Sequence, residues 1–340
     1  MSAFTEVFNA QDLLDYSNNN EALKAFSLET LFPARKVLSN DFLTLVDTAS
    51  IPQIAHVHAM DTEAEKATYD REVSTGEAFK YSRKEVFNEA DIVEIQTFKN
   101  MGYAKYKPLA RDIMQSGVRL INSINTALEL ARVQALTLGK FTQKDQNGKA
   151  VPFDYAIPKE HKLDKVNFAD ASFDPIEWLI EQQEAANFEV TRGLTSVKAL
   201  AAMRNNKNVV ERILGTSATV KSVMPGDFAN FLQSQGLPAL VAYRGSYDEV
   251  DAKGTHTTKK FIDDGALALF GDGTVGETVF GVTPEESRLV ADSSVNQSSV
   301  GNVMLSTFST VDPITNVVHA TAVGTPTLAN RNFLLQGTVL

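Results

Sequence analysis

An α+β architecture is predicted for this 340-residue chain by three features of its sequence. One long amphipathic pattern covers 108–138, shorter helical patterns follow between 174 and 235, and the chain after Gly236 reads mostly as short strands. Helices and strands thus occupy separate stretches, without the alternating strand and helix rhythm of a parallel βαβ sheet.

From 1 to about 50 the chain is punctuated by Asn18-Asn19-Asn20 and Phe32-Pro33, with apolar clusters such as Leu43-Thr44-Leu45-Val46 between. This predicts an extended arm with one or two short helices. A polar segment follows from 51 to 92, in which His56-Val57-His58 and Phe79-Lys80-Tyr81 alternate with the two-residue period of a strand. They flank a charged stretch, 61–76, so a long two-stranded excursion is expected. Such a ribbon is marginal in water by itself and needs another surface, such as a second subunit, to lie on.

Pro108 is a favoured first helical residue and Gly139 a favoured stop. Between them Leu109, Ile113, Gly117, Leu120, Ile124, Leu128, Ala131, Ala135 and Leu138 step by three or four, while Arg111, Asp112, Gln115, Arg119, Asn122, Asn125 and Glu129 fall on other faces. The spacing predicts a rod of roughly 45 Å, long for a globular helix. Lys140-Phe141-Thr142 and Val151-Pro152-Phe153 then flank the turn dipeptide Asn147-Gly148, a hairpin signal.

Asp174-Pro175-Ile176-Glu177 supplies an N-cap acid, a first-position proline and a glutamate placed for a capping box, so a helix should run to about Phe188. Further helices are predicted at 196–204, at 208–214 with Gly215 as the stop, and from about Asp227 to before Gly236. Strands are expected at 240–243, at 266–270, at 275–282 and within the Val-, Thr- and Ser-rich tail 293–340.

Composition excludes several functions. Without cysteine there is no disulfide framework, thiol nucleophile or thiolate metal site. A net charge of -10 argues against a surface built to grip phosphate backbones or anionic lipid. Residues 1–16 carry Glu6, Asp12 and Asp15 and no basic residue, unlike a signal peptide, and no apolar run approaches a membrane span. A soluble product made in the cytoplasm is expected.

The literal GxGxxG at 271–276 follows a predicted strand, but Glu277-Thr278-Val279-Phe280-Gly281-Val282 cannot open the helix that a dinucleotide site requires, so a turn between strands is the better reading. His56 and His58 share a strand face near Asp61, Glu63 and Glu65, yet these acids lie in a solvated charge run. His161, His256 and His319 have no companion spacing. Asp263-Asp264 points its carboxylates apart and reads as a turn, and Asp145-Gln146-Asn147-Gly148 lacks the ligand spacing of a calcium loop. No nucleophile elbow, phosphate loop or HExxH zinc motif occurs. No catalytic, cofactor-binding or metal-binding residue is therefore nominated, and the chain is expected not to be an enzyme.

In their order along the chain, several segments resemble tailed-phage major capsid proteins of the lambda type, the major capsid protein E family with the Hong Kong 97 fold. They are Phe32-Pro33-Ala34-Arg35-Lys36-Val37, Ser74-Thr75-Gly76-Glu77 through Tyr81, Ala135-Leu136-Thr137-Leu138-Gly139-Lys140-Phe141-Thr142, Asp174-Pro175 with Trp178, and Asp263-Asp264-Gly265-Ala266-Leu267-Ala268-Leu269-Phe270-Gly271. The resemblance implies an N-terminal arm at 1–50, an E-loop at 51–92, a peripheral domain of 93–165 with 310–340 that includes the spine helix 108–138, and an axial domain at 166–309. It further implies self-assembly as pentamers and hexamers into an icosahedral head around double-stranded DNA without sequence-specific binding. A separate scaffolding protein, a portal protein and a possible decoration protein would be partners, and no membrane is involved. Some relatives cross-link covalently, for which Lys80 or Lys84 with Asn330 or Asn332 would be the candidates. The rival readings are an encapsulin-like compartment shell and a nucleotide-dependent enzyme using 271–276.

Overall fold

The computed structural model describes residues 27–39, 41–47, 71–100, 103–144, 150–216, 220, 222–250, 254–288 and 296–340. After a 3-10 turn at Ser27–Glu29 come β1 (Ala34–Lys36), β2 (Asp41–Asp47), β3 (Arg71–Glu77) and β4 (Phe79–Phe87). Helix α1 (Glu89–Asn100) precedes the long α2 (Tyr103–Leu138), and a hairpin of β5 (Lys140–Lys144) and β6 (Ala150–Asp154) follows. The middle of the chain contains α3 (Pro175–Ala185), β7 (Arg192–Ser196), α4 (Val197–Asn205), α5 (Lys207–Leu214) and α6 (Pro225–Ser234). The strand-rich remainder comprises β8 (Ala239–Tyr243), β9 (Ser246–Val250), β10 (His256–Lys260), β11 (Ala266–Phe270) and β12 (Glu277–Phe280). It continues through α7 (Pro284–Arg288), β13 (Asn296–Val300), β14 (Val303–Val311), β15 (Ile314–Thr327) and β16 (Leu334–Thr338).

Two sheets organise the molecule, and α2 joins them. The larger, six-stranded sheet has the order β1-β12-β15-β14-β13, with β4 also on β15. The smaller has the order β16-β11-β7-β8. At 36 residues, α2 is about 54 Å long, enough to lie across both. Its Leu120, Ile121, Ile124 and Leu128 pack on Phe280, Leu305, Val318, Ala320 and Ala322 of the large sheet. Its last turns, from Ala131 to Leu136, pack on Ala266, Ala268 and Phe270 of the small one. The opposite face of the small sheet, Leu267 and Leu269, is covered by Ile176, Leu179, Met203, Val209 and Phe228 from α3 to α6. A strand clothed on both faces has no polar side, which is why β11 reads as an unbroken apolar run.

Local chemistry explains the ends of these elements. Gly139 ends α2 with φ of 65° at a point where a Cβ would lie 2.5 Å from Ile157. Asp174 caps α3 by accepting from the N–H groups of Ile176 and Glu177 at 3.0 and 3.2 Å. Gly215, at φ of 84°, closes α5.

Several expectations are corrected. Helix α2 begins at Tyr103, so Pro108 lies in its second turn and removes one backbone bond without breaking the helix. Helix α3 stops at Ala185, because Phe188 is drawn against the His161 ring and Phe333. Glu177 does not complete a capping box but accepts from Arg212 at 3.0 Å. The stretch 71–77 is not loop: it forms β3 and pairs with β2, whereas Phe79-Lys80-Tyr81 belongs to β4 on the large sheet. The strand expected at 56–58 and the turn at 147–148 lie outside the described residues. Strand β12 covers only 277–280, because the N–H groups of Val275 and Gly276 turn to the carbonyl of Leu31.

Candidate assembly surfaces and the buried node beneath them

The side chains that suggested chemistry are engaged in building the fold. In the 271–276 glycine segment the carbonyls of Gly271 and Gly273 both accept from Arg192 at 2.6 Å, and Asp272 accepts from Thr191 at 2.8 Å. The segment thus presents acceptors and runs into a strand, whereas a phosphate cradle needs converging N–H donors at a helix start. It is a turn. His161 is buried, its Nδ1 is 3.0 Å from the carbonyl of Leu334, and its ring stacks on Phe188. His256 lies beside Asp248 on the exposed β9–β10 ribbon at 2.5 Å, with no nucleophile among its hydrogen-bond partners. His319 faces the hydroxyl of Ser82 at 2.6 Å. Asp264 receives Lys260 at 2.5 Å and Lys198 at 3.5 Å, and Lys260 holds its carboxyl below the usual range.

No cluster of metal-ligating side chains occurs among the described residues. His56, His58, Asp61, Glu63, Glu65 and Asp145 lie outside them. Of the cross-linking candidates, Lys80 donates to Glu285 at 2.7 Å and Asn330 to the carbonyl of Thr274 at 2.9 Å. Lys84 sits opposite His319 in register, and Asn332 is buried.

The sequence reading placed Glu129 off the buried stripe, and the structure corrects that: its side chain is fully buried. One carboxylate oxygen accepts from the N–H of Leu28 at 3.3 Å and from the hydroxyl of Tyr243 at 2.7 Å. The other accepts from Arg132 at 3.2 Å. Arg132 also donates through Nε to Thr278 Oγ1 at 3.0 Å, and that hydroxyl donates to the carbonyl of Phe32 at 3.1 Å. Burial pushes the Glu129 carboxyl up, and the Tyr243 hydroxyl, Arg132 and the Leu28 N–H counter it. The node brings together the arm, α2, β8 and β12. The spacing of Glu129 and Arg132, three residues apart on one helix, was the only sequence signal.

Three surface features remain unspent. The ribbon of β2 and β3 pairs with no other described strand. At one end of the large sheet Val311 is 87% exposed and Ile314 54%, and the N–H of Ile314 donates to Glu89 of α1, a helix that also exposes Val93. On the small sheet, residues 163–168 cover the outer edge of β16 through bonds such as Leu163 N–H to the carbonyl of Gln336 at 2.7 Å. Strand β8 at the other edge has β7 as its only partner among the described strands. Beside it lies a groove of about 730 Å³ lined by Leu200, Arg204, Phe228, Leu240 and Val241. Open edges and exposed apolar groups favour pairing with other chains.

A family model described as phage major capsid protein E matches residues 9–297. The chain belongs to that family. Its function is accordingly that of a phage major capsid protein, a structural subunit that self-assembles into the virion shell. Solved structures agree on the fold, which is of the Hong Kong 97 type. A protein described as a prophage capsid protein of E. coli CFT073 aligns with a TM-score of 0.62 and 16% identity, covering 98% of this chain and 99% of its own. A phage-related protein of Bordetella bronchiseptica RB50 aligns with a TM-score of 0.55 and 11% identity, covering 97% and 96%. No curated protein matches by sequence. No described helix of this capsid protein is long and apolar enough to cross a membrane.

Proposed function

We propose that this capsid protein forms the closed icosahedral head of a tailed phage around double-stranded DNA, serving in both pentamers and hexamers and assembling in the host cytoplasm. The β2–β3 ribbon is the observation that carries the reading, because two strands that pair only with each other among the described residues require an outside surface. In a ring of identical chains that surface is the next subunit, a heterologous contact whose rotation closes. Modest contacts suffice, since each later one is effectively intramolecular. Residues 61–94 mix both charge signs, which suits setting register against a neighbour more than raw affinity. A net charge of -10 suits a container that must let its DNA enter and leave.

Within this reading 1–50 is the arm and 51–92 the E-loop, apart from β1 and β4, which these segments contribute to the large sheet. The peripheral domain is α2 with the large sheet, and the axial domain is the small sheet with α3 to α6. Strand pairing supports boundaries that follow the sheets, with β12 to β14 counted as peripheral and β16 as axial, in place of linear cuts at 166–309 and 310–340. A separate scaffolding protein, a portal and a decoration protein are the partners such a head would use. The role is structural, without catalysis.

The test is negative-stain electron microscopy of the protein expressed with and without its neighbouring genes. Closed shells of uniform diameter are expected, and a small soluble oligomer in the presence of the scaffold overturns the reading. Neighbouring portal and terminase genes, as opposed to a cargo enzyme gene, separate a phage head from an encapsulin-like compartment.

A further inference from the structure

We propose that the buried Glu129–Arg132 pair is an orientation lock: it fixes the angle between the two sheets of the subunit and contributes little net stability. The argument begins with what one carboxylate collects. Leu28 comes from the arm, Tyr243 from the small sheet and Arg132 from α2, and Arg132 in turn holds Thr278 of the large sheet. Four separate parts of the fold therefore meet within two side chains. Apolar packing between α2 and each sheet is non-directional and tolerates sliding, whereas these bonds have one geometry.

Burying such a pair is costly. A fully buried carboxylate and a nearly buried guanidinium lose their hydration, and hydrophobic residues of similar volume often serve stability as well or better. Conformational specificity is the return we assign to this pair, as in other systems where a buried polar group fixes one arrangement of packed elements. The other charged and titratable groups around the pair are few. Glu29 lies 3.6 Å from Arg132, and Tyr81 of β4 faces it as well. On the far side of the small sheet, Gln336 donates to the carbonyls of Ala135 and Leu136 and ties that side to α2. Two anchors, one at each side of the small sheet, define its tilt.

The chain has no cysteine, so paired spin labels can be placed without background. Leu38, 94% exposed beyond β1, and Val241, exposed on β8, report on the large and small sheets respectively. Distances between labels at L38C and V241C would be measured by pulsed electron resonance in the full-length, unassembled subunit. The result is therefore independent of whether the shell reading holds. In the otherwise native protein the distance distribution should be narrow. In E129L/R132M/Y243F the melting temperature should change by less than about 4 °C, while the distribution becomes about twice as broad. A native-width distribution in that variant overturns the proposal, and so does a loss of stability large enough to unfold it. Y243F alone, which removes a single hydroxyl from the node, is the second measurement. Its distribution should broaden too, and a native width there overturns the proposal equally.

Discussion

Ile124 tests the packing of α2 at the level of one side chain. It is 3% exposed among Phe280, Leu305 and Val318, with no basic group in its apolar cluster. Ile124→Asp places an unpaired charge there and should cost on the order of 4 kcal/mol, read as a drop in the denaturant midpoint and in soluble yield. A native midpoint would remove the stripe as the helix's buried face. His319 gives a pH test. Burial lowers its affinity for a proton, Lys80 and Lys84 add to that, and Glu285 opposes it. The unfolded chain takes up the proton near the ordinary value of about 6.5, before the folded chain does, so this group makes stability fall as pH drops through that value and level off below the folded one. The urea midpoint of the native protein should therefore fall between about pH 7.5 and 5.5, and His319→Gln should flatten that fall. An unchanged slope in the variant would assign the pH dependence to other groups. Residue by residue, the stripe from Leu120 to Ala135 was legible because a 3.6-residue period marks the buried face directly. Glu129 was not, because periodicity sorts residues by polarity, and a buried carboxylate is recognised only once its donors Leu28 and Tyr243, each more than a hundred residues distant, are known.

Elements were legible where their signals are local. The stop at Gly139, the Asp174 cap and strand Ala266–Phe270 all follow from neighbouring residues. Helix α1 was overlooked although Asn88 caps it, accepting from the N–H groups of Ala90 and Asp91 while Asp91 reaches back to the N–H of Asn88. The surrounding charge run concealed that reciprocal cap. Sheet membership was not legible, since β1 joins β12 and β16 joins β11 across long stretches of chain, and nothing in a strand's own sequence names its partner. One long-range tie at this scale is measurable. The buried Gln336 of β16 donates to the carbonyls of Ala135 and Leu136 at 2.9 and 2.8 Å, satisfying the end of α2. Gln336→Leu keeps the bulk and removes both bonds, so it should cost about 1–3 kcal/mol and lower the melting temperature by a few degrees. A melting temperature equal to that of the native protein would show that water replaces those bonds.

For the whole molecule, the decisive question is which parts hold the subunit together and which hold subunits to one another. Both large sheets are complete without β2 and β3, and α2 packs on each of them through residues from Leu120 onward. Deleting 61–76 removes most of β3 and leaves every other described strand pairing in place apart from that of β2. The two-stranded ribbon is too small to contribute much to a domain's stability, so the deleted subunit should keep its far-ultraviolet circular dichroism and melt within about 4 °C of the native protein. Assembly should respond differently. If a neighbouring subunit supplies the surface on which the ribbon lies, the deletion removes one contact from every subunit of the shell at once. Because effective concentration multiplies along a closed lattice, that repeated loss is magnified far beyond its value in a single pair. Negative-stain images of the deletion expressed with its neighbouring genes should show folded subunits and small rings but no stable shells. Normal shells would mean that the ribbon is ornament and that lateral contacts, such as those at the β8 edge, carry closure alone.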